Sequence, residues 1–293
     1  MTVMTTGDEI FAEVSSAVKG RIHDSSSEAI QSGAIHSLGA VAFFGGADEV
    51  EVEETMEFLL HIASSDGESV DAEDSGPVVA AALQEWGFLA TLFNAMDGTS
   101  DDPMNVFEDQ LDSSILSVQT AAGANAALLY EKSWEPLDDD EEGDDIDEDD
   151  LDQHEHGNFQ RIKWAHRYEA NPAGDDVLQS KLRGLATANA RYMGKDSKRS
   201  MHQTFRDVLH SIQHPWRGPR YSTTIEQDSK LYLGHRLAVR HGRQLLFVIN
   251  RWWKLHRWEA IKRIAGGGVI NHYKLNKLVR EALPQTLVAP ERF

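Results

Sequence analysis

The sequence predicts a mainly α-helical protein. An acidic helical bundle (residues 1–134) joins through an acidic linker (135–157) to a basic, mostly helical module (158–293) with one long amphipathic helix. Apolar residues recur at helical spacing in both halves, strand-like alternation is scarce, and charge is sharply divided. Residues 1–157 hold 38 of the 48 acidic side chains and only three basic ones, Lys19, Arg21 and Lys132. The remainder holds 25 basic against 10 acidic, so the net −20 is made of −35 and +15. Charge balance governs partners and solubility rather than fold, and the division therefore points at partners.

The first helix follows a capping box, Thr6-x-x-Glu9, with Ile10, Val14, Ala17 and Val18 on one face. Ser25-x-x-Glu28 starts a second, ended by Gly45-Gly46, and a third begins near Asp48 with Val52, Met56, Leu59, Leu60 and Ala63 as its apolar stripe. Ser75 caps a fourth helix with Pro77 in its first turn, apolar nearly all round from 78 to 96, which is the pattern of a buried central helix. Asp102-Pro103 restarts a helix that runs toward Trp134, with Gly123 as the candidate interruption.

In residues 138–152 every position is acidic except Gly143, Ile146 and Leu151; a block of like charge repels itself and stays extended. Asp138-x-Asp140-x-Glu142-Gly143 imitates the first half of an EF-hand loop, but Asp145 and Asp149 stand where an apolar residue and the twelfth-position glutamate belong. Beyond it, Leu178, Leu182, Leu185, Asn189 and Tyr192 share one face, and Phe205, Val208, Leu209 and Ile212 another. The stretch 214–220 reads as a rigid basic loop. Residues 224–264 contain no proline and read as the long helix, followed by Gly266-Gly267-Gly268 and a last helix over 270–283.

On a helical wheel Arg236, Arg240, Arg243, Arg251 and Lys254 form a stripe opposite Leu245, Leu246, Ile249, Trp253, Ala260 and Ile264. Arginine forks bind phosphate or carboxylate bidentately and aromatic rings offer stacking surfaces. Together with Trp252, Arg257, Arg217 and Arg220 this stripe is the candidate interface. Its partner is nucleic acid or an acidic protein surface, and the bland alternative pairs it with the protein's own acidic half. The triple glycine between basic segments resembles a helix-turn-helix in outline, with His272, Lys274, Lys277 and Arg280 toward a groove, although an ordinary helical hairpin fits the spacing better.

Asp207, His210 and His214 lie on one side of a helix and are weak candidates for a metal or acid–base site; Ser211 stands where an HExxH motif needs glutamate. His154, Glu155 and His156 suit only adventitious metal binding. No nucleotide-binding or hydrolase motif occurs, and no cofactor is expected.

Zero cysteines exclude disulfides, zinc-thiolate sites and thiol nucleophiles. No signal peptide is read, and the apolar windows 33–45 and 78–96 are respectively too short and too polar to span a bilayer. The expectation is a non-enzymatic binding or assembly protein, cytoplasmic or in a virion, that forms homo-oligomers or a larger assembly by acidic-on-basic, head-to-tail contact, as a structural part of a virus particle would. The alternatives are a metal-dependent enzyme acting on nucleic acid through Asp207, His210 and His214, and a regulator autoinhibited by its acidic linker. A salt-loving host would also account for the acidity.

Overall fold

The computed structural model describes residues 10–96, 101–136, 164–188, 194–219, 238–242 and 244–284. Its N-terminal part is an array of helices: α1 (Ile10–Asp24), α2 (Glu28–Phe44), α3 (Glu49–Ser64), α4 (Gly76–Ala90), α5 (Asp101–Gln110) and α6 (Leu116–Lys132). Asp48 makes a full capping box with Glu51 at the start of α3. The Ser25-x-x-Glu28 signal is realised differently: Ser27 is the N-cap of α2, and its amide donates to Ser25 Oγ at 3.2 Å. The box at Thr6 lies outside the described residues.

The all-round apolar helix is central, as expected from its sequence. Of the 15 residues of α4, 13 are buried, because α2, α3, α6 and α9 (Trp252–Ala265) surround it. The expected helix from Asp102 to Trp134 is two helices, and the break falls at 111–115 rather than at Gly123. Gln119 stabilises that break by donating to the carbonyls of Leu111 (3.1 Å) and Ser113 (2.7 Å). Gly123 instead lies within α6 where α8 (Lys195–Gln213) crosses it, close to Phe205 and Val208.

The boundary of charge is not a boundary of packing. Leu178 and Leu182 of α7 (Asp176–Thr187), Phe205, Val208 and Ile212 of α8, and Trp252 of α9 belong to the same apolar cluster as the N-terminal helices. The acidic run does not bridge two separate cores either. Strand β1 (Trp134–Pro136) pairs antiparallel with β2 (Trp164–His166), so the chain leaves and returns at one place. Residues 137–163, including the EF-hand-like run and His154–His156, lie outside the described residues.

The continuous helix over 224–264 is not what forms over its described part. Strands β3 (Ala238–His241) and β4 (Gln244–Val248) make a hairpin, turned at Gly242 with φ +59°, and α9 begins only at Trp252. The run Leu245–Ile249 suits a buried strand as well as a helix, and a left-handed turn decides between them. Phe247 packs edge-on against Trp258 and beside Tyr273, nucleating a second apolar cluster with Ile261, Val269 and Val279. The last helix is also divided, into α10 (Val269–Leu275) and α11 (Lys277–Ala282), because Asn276 is extended and accepts from Leu278 N at 3.0 Å. Two short helices do not supply the recognition helix that a helix-turn-helix needs. Among the described residues no helix is long and apolar enough to cross a membrane.

A core shared by both halves should unfold as a unit. Phe205→Ala, at a fully buried position in α8, is expected to cost about 4 kcal/mol. Far-UV circular dichroism and tryptophan fluorescence should then shift together to lower denaturant; a shift confined to one signal would mean two independent cores.

Candidate binding surface and the buried charge seam

The candidate interface residues divide into three groups. Arg220, Arg236 and Arg243 lie outside the described residues, and of Arg217 only the backbone is described, in a short 3-10 turn (Pro215–Arg217). Arg240 is exposed on β3. Arg251, Trp252, Lys254 and Arg257 sit at the start of α9, where α9 meets α4 and α6, and here the helix ends explain their positions.

The first amides of a helix lack intrahelical acceptors and carry partial positive charge. The buried carboxylate of Glu131, near the end of α6, accepts from Trp252 N at 2.8 Å and Trp253 N at 3.1 Å. Burial pushes the Glu131 pKa up, while Arg251, the two amides and Lys132 favour its charged form. Trp252 is itself buried, with its indole N–H donating to Ser211 Oγ at 2.8 Å. Arg251 donates to the Trp216 carbonyl and lies 4.5 Å from the Trp164 ring centre. Lys254 is buried, bonded to Asn250 Oδ1 at 3.2 Å, and burial pushes its pKa down.

The opposite helix end is treated in the complementary way. At the C-terminal end of α4, Arg257 donates to Thr91 Oγ1 (2.8 Å) and Thr91 O (2.7 Å) and reaches the Ala282 carbonyl of α11 (3.2 Å). Lys132 donates to the Phe93 carbonyl. Cations belong at this electronegative end. Burial lowers Lys132 to about 8 and Arg257 to about 10, leaving both charged at neutral pH. Buried Glu85 of α4 completes the seam, meeting Arg263 Nη2 and His36 Nδ1, each at 2.7 Å. Much of the expected interface is therefore a fastening within the chain. Sequence spacing missed Glu131 and Glu85, which sit singly on apolar helices; their isolation there was the available signal.

Close approach of α9 to α4 depends on Gly87, where a Cβ would lie 2.1 Å from Asn125 Oδ1 and 2.5 Å from His256 Cε1. His256 Nε2 faces the Ala124 carbonyl at 3.3 Å, and burial lowers the imidazole pKa to about 4, helped by Arg263 and Lys132.

His210 and His214 lie with ring centres 4.9 Å apart, and His214 is 5.8 Å from Trp216. Among the described residues, no group of three or more His, Cys, Asp or Glu side chains is placed to hold a metal ion, so the geometry does not assemble Asp207, His210 and His214 into such a site.

Basic side chains stay exposed at several places, among them Lys195, Arg199 and Arg206 of α8 and Arg240 of β3; at the α10–α11 corner His272, Lys274, Lys277 and Arg280 are exposed together. Between them stand Leu275 and Leu278, 84% and 54% exposed. Isolated exposed leucines are ordinary, but two on one tight corner among four basic side chains and one carboxylate, Glu281, which pairs with Lys277 at 3.4 Å, form an amphipathic knob.

Two outcomes test the seam. Glu131→Gln is expected to lower unfolding free energy by about 3 kcal/mol, since removing one partner leaves buried cationic groups uncompensated. Denaturant titration measures this; an unchanged midpoint would contradict the capping role of the carboxylate. His256 has its folded-state pKa below the unfolded value of about 6.5, so the unfolded chain binds its proton first. Stability is then lost as pH falls from about 6.5 to 4, by about 3 kcal/mol for this residue. The raised pKa of Glu131 acts in the opposite sense, so the readout is the difference between wild type and His256→Gln. The variant should have the flatter profile over that window, and parallel profiles would refute the assignment.

Residues 1–213 match the family described as Interferon-related developmental regulator (IFRD). An uncharacterized protein of the fission yeast Schizosaccharomyces pombe is 27% identical over 233 residues, covering 79% of this chain and 46% of that protein. Interferon-related developmental regulator 1 of the mouse, Mus musculus, is 27% identical over 105 residues, 36% of this chain and 19% of that protein. The chain thus matches under half the length of each of these relatives. With the family match covering nearly three quarters of its length, the chain belongs to the interferon-related developmental regulator family.

Proposed function

We propose that this chain is a non-enzymatic binding protein that docks an acidic protein surface through its α10–α11 corner. The observation that carries the reading is the pairing of Leu275 and Leu278, largely exposed, with His272, Lys274, Lys277 and Arg280 on two consecutive short helices. A phosphate backbone rewards the cations but offers the leucines no apolar surface to cover. An acidic amphipathic protein segment rewards both, with charge steering the encounter and apolar burial slowing its release. The seam supports the same reading indirectly. Arg251, Lys254 and Arg257 are engaged within the fold. Of the basic surfaces still exposed, which include Lys195, Arg199 and Arg206 of α8, the corner stands out for two exposed leucines among its cations.

The test uses fluorescence anisotropy with three labelled probes of matched length: a helical Glu/Leu peptide, polyglutamate and a single-stranded RNA. The Glu/Leu peptide should bind most tightly, and Leu275→Ala with Leu278→Ala should weaken it by about tenfold or more while hardly altering the other two. Equal binding of all three probes, indifferent to the leucines, would leave only nonspecific polyanion attraction; preference for RNA would place nucleic acid first.

A further inference from the structure

The same chain carries a surface complementary to this corner. Helices α3 and α5 pack side by side and leave an open groove of about 500 Å³ between them. Leu60 and Val106 supply apolar lining, and Glu57, His61 and Asp102 supply polar lining. The exposed face of α3 continues the acidic surface toward its N-terminus through Glu54 and Glu53 to Val50, which is 61% exposed. The groove thus offers apolar surface flanked by carboxylates, and the corner offers leucines flanked by cations. Leu275 at 84% exposed and the exposed Asp102 show that neither surface is filled by the other within one chain.

We infer that the α10–α11 corner of one chain docks into the α3–α5 groove of a second copy, Leu275 and Leu278 meeting Leu60 and Val106 while Lys274, Lys277 and Arg280 face Glu57 and Asp102. This rests on the reading of the corner as a dock for acidic protein and names its partner. The contact is heterologous, since a corner meets a groove, so each docked copy presents a free corner and a free groove at its ends. A copy with net charge −20 repels another at long range. At about 0.15 M salt the screening length of about 8 Å removes most of that repulsion while patches in contact still attract. At about 1 M, with a screening length of about 3 Å, the charged part of the attraction weakens as well. A contact of two leucines and a few ion pairs belongs to the small, transient class, so assembly is concentration-dependent.

Sedimentation velocity of the whole chain at loading concentrations from ~5 to ~300 µM tests this. At about 0.15 M salt the weight-average sedimentation coefficient should rise with concentration, and at about 1 M the rise should shrink. Two surface variants separate the partners: Leu275→Ser with Leu278→Ser removes the corner, and Glu57→Lys with Asp102→Lys removes the groove. Each should sediment as a monomer alone. Mixed in equal amounts they should form a pair and no larger species, because only one good corner and one good groove remain in each pair. A strict monomer for wild type at every concentration, or a mixture that stays monomeric, overturns the inference; so does a variant that assembles like wild type. A monomeric wild type that still binds the Glu/Leu peptide removes self-docking and leaves the acidic-partner reading standing, whereas loss of both removes both.

Discussion

The Glu131 carboxylate seated on the first amides of α9 is the constraint on which the arrangement of the C-terminal half depends. It joins residues 121 positions apart in the chain and sets the direction in which α9 leaves the core. With that direction set, Trp252 reaches Ser211, Arg257 reaches both the end of α4 and the end of α11, and Arg263 reaches Glu85. Glu131, Lys132, Arg257 and Glu85 each meet either a helix end of opposite polarity or an opposite charge. That is the circumstance in which burial of a charge is tolerated in a fold of marginal overall stability.

The division of charge along the sequence consequently has two uses. Part of it is spent inside the molecule, where carboxylates from α4 and α6 meet basic groups from α9 and its approach. The rest stays on the surface, acidic along α3 and α5 and basic along α8 and at the α10–α11 corner. An interior fastening and an exterior binding surface draw on the same residue types, and burial alone separates them. Lys254 and Lys274 are both lysines of the basic half, yet one is buried beside Arg251 and the other is exposed beside Leu275.

The acidic run is rooted where aromatic side chains gather. Trp134 of β1 packs edge-on against Trp216 at 5.0 Å and beside His166 of β2, while Arg251 covers Trp164. The β1–β2 pair thereby holds the chain on either side of residues 137–163 against the seam. Membership of the interferon-related developmental regulator family comes from residues 1–213, so the matched part includes the helical array, this strand pair and α8, and stops before α9 and the basic corner.

The sequence by itself determined the helical class, the central place of α4 and the position of most N-terminal helices. These depend on interactions between residues three and four apart and on a helix that is apolar on every side. It also showed that basic residues concentrate after residue 157. Only the tertiary structure decided that Leu245–Val248 form a strand, because a short apolar run is compatible with either state until Gly242 turns the chain and Phe247 meets Trp258 and Tyr273. Only it decided which charges are interior. The start of α9 is placed by Glu131 and Arg257 is held by Thr91, groups more than one hundred residues away, and no local pattern encodes a distance of that kind. The same reason explains the surfaces: the sequence reads 270–283 as one helix, and Asn276 divides it, with Leu275 and Leu278 exposed on either side of the break.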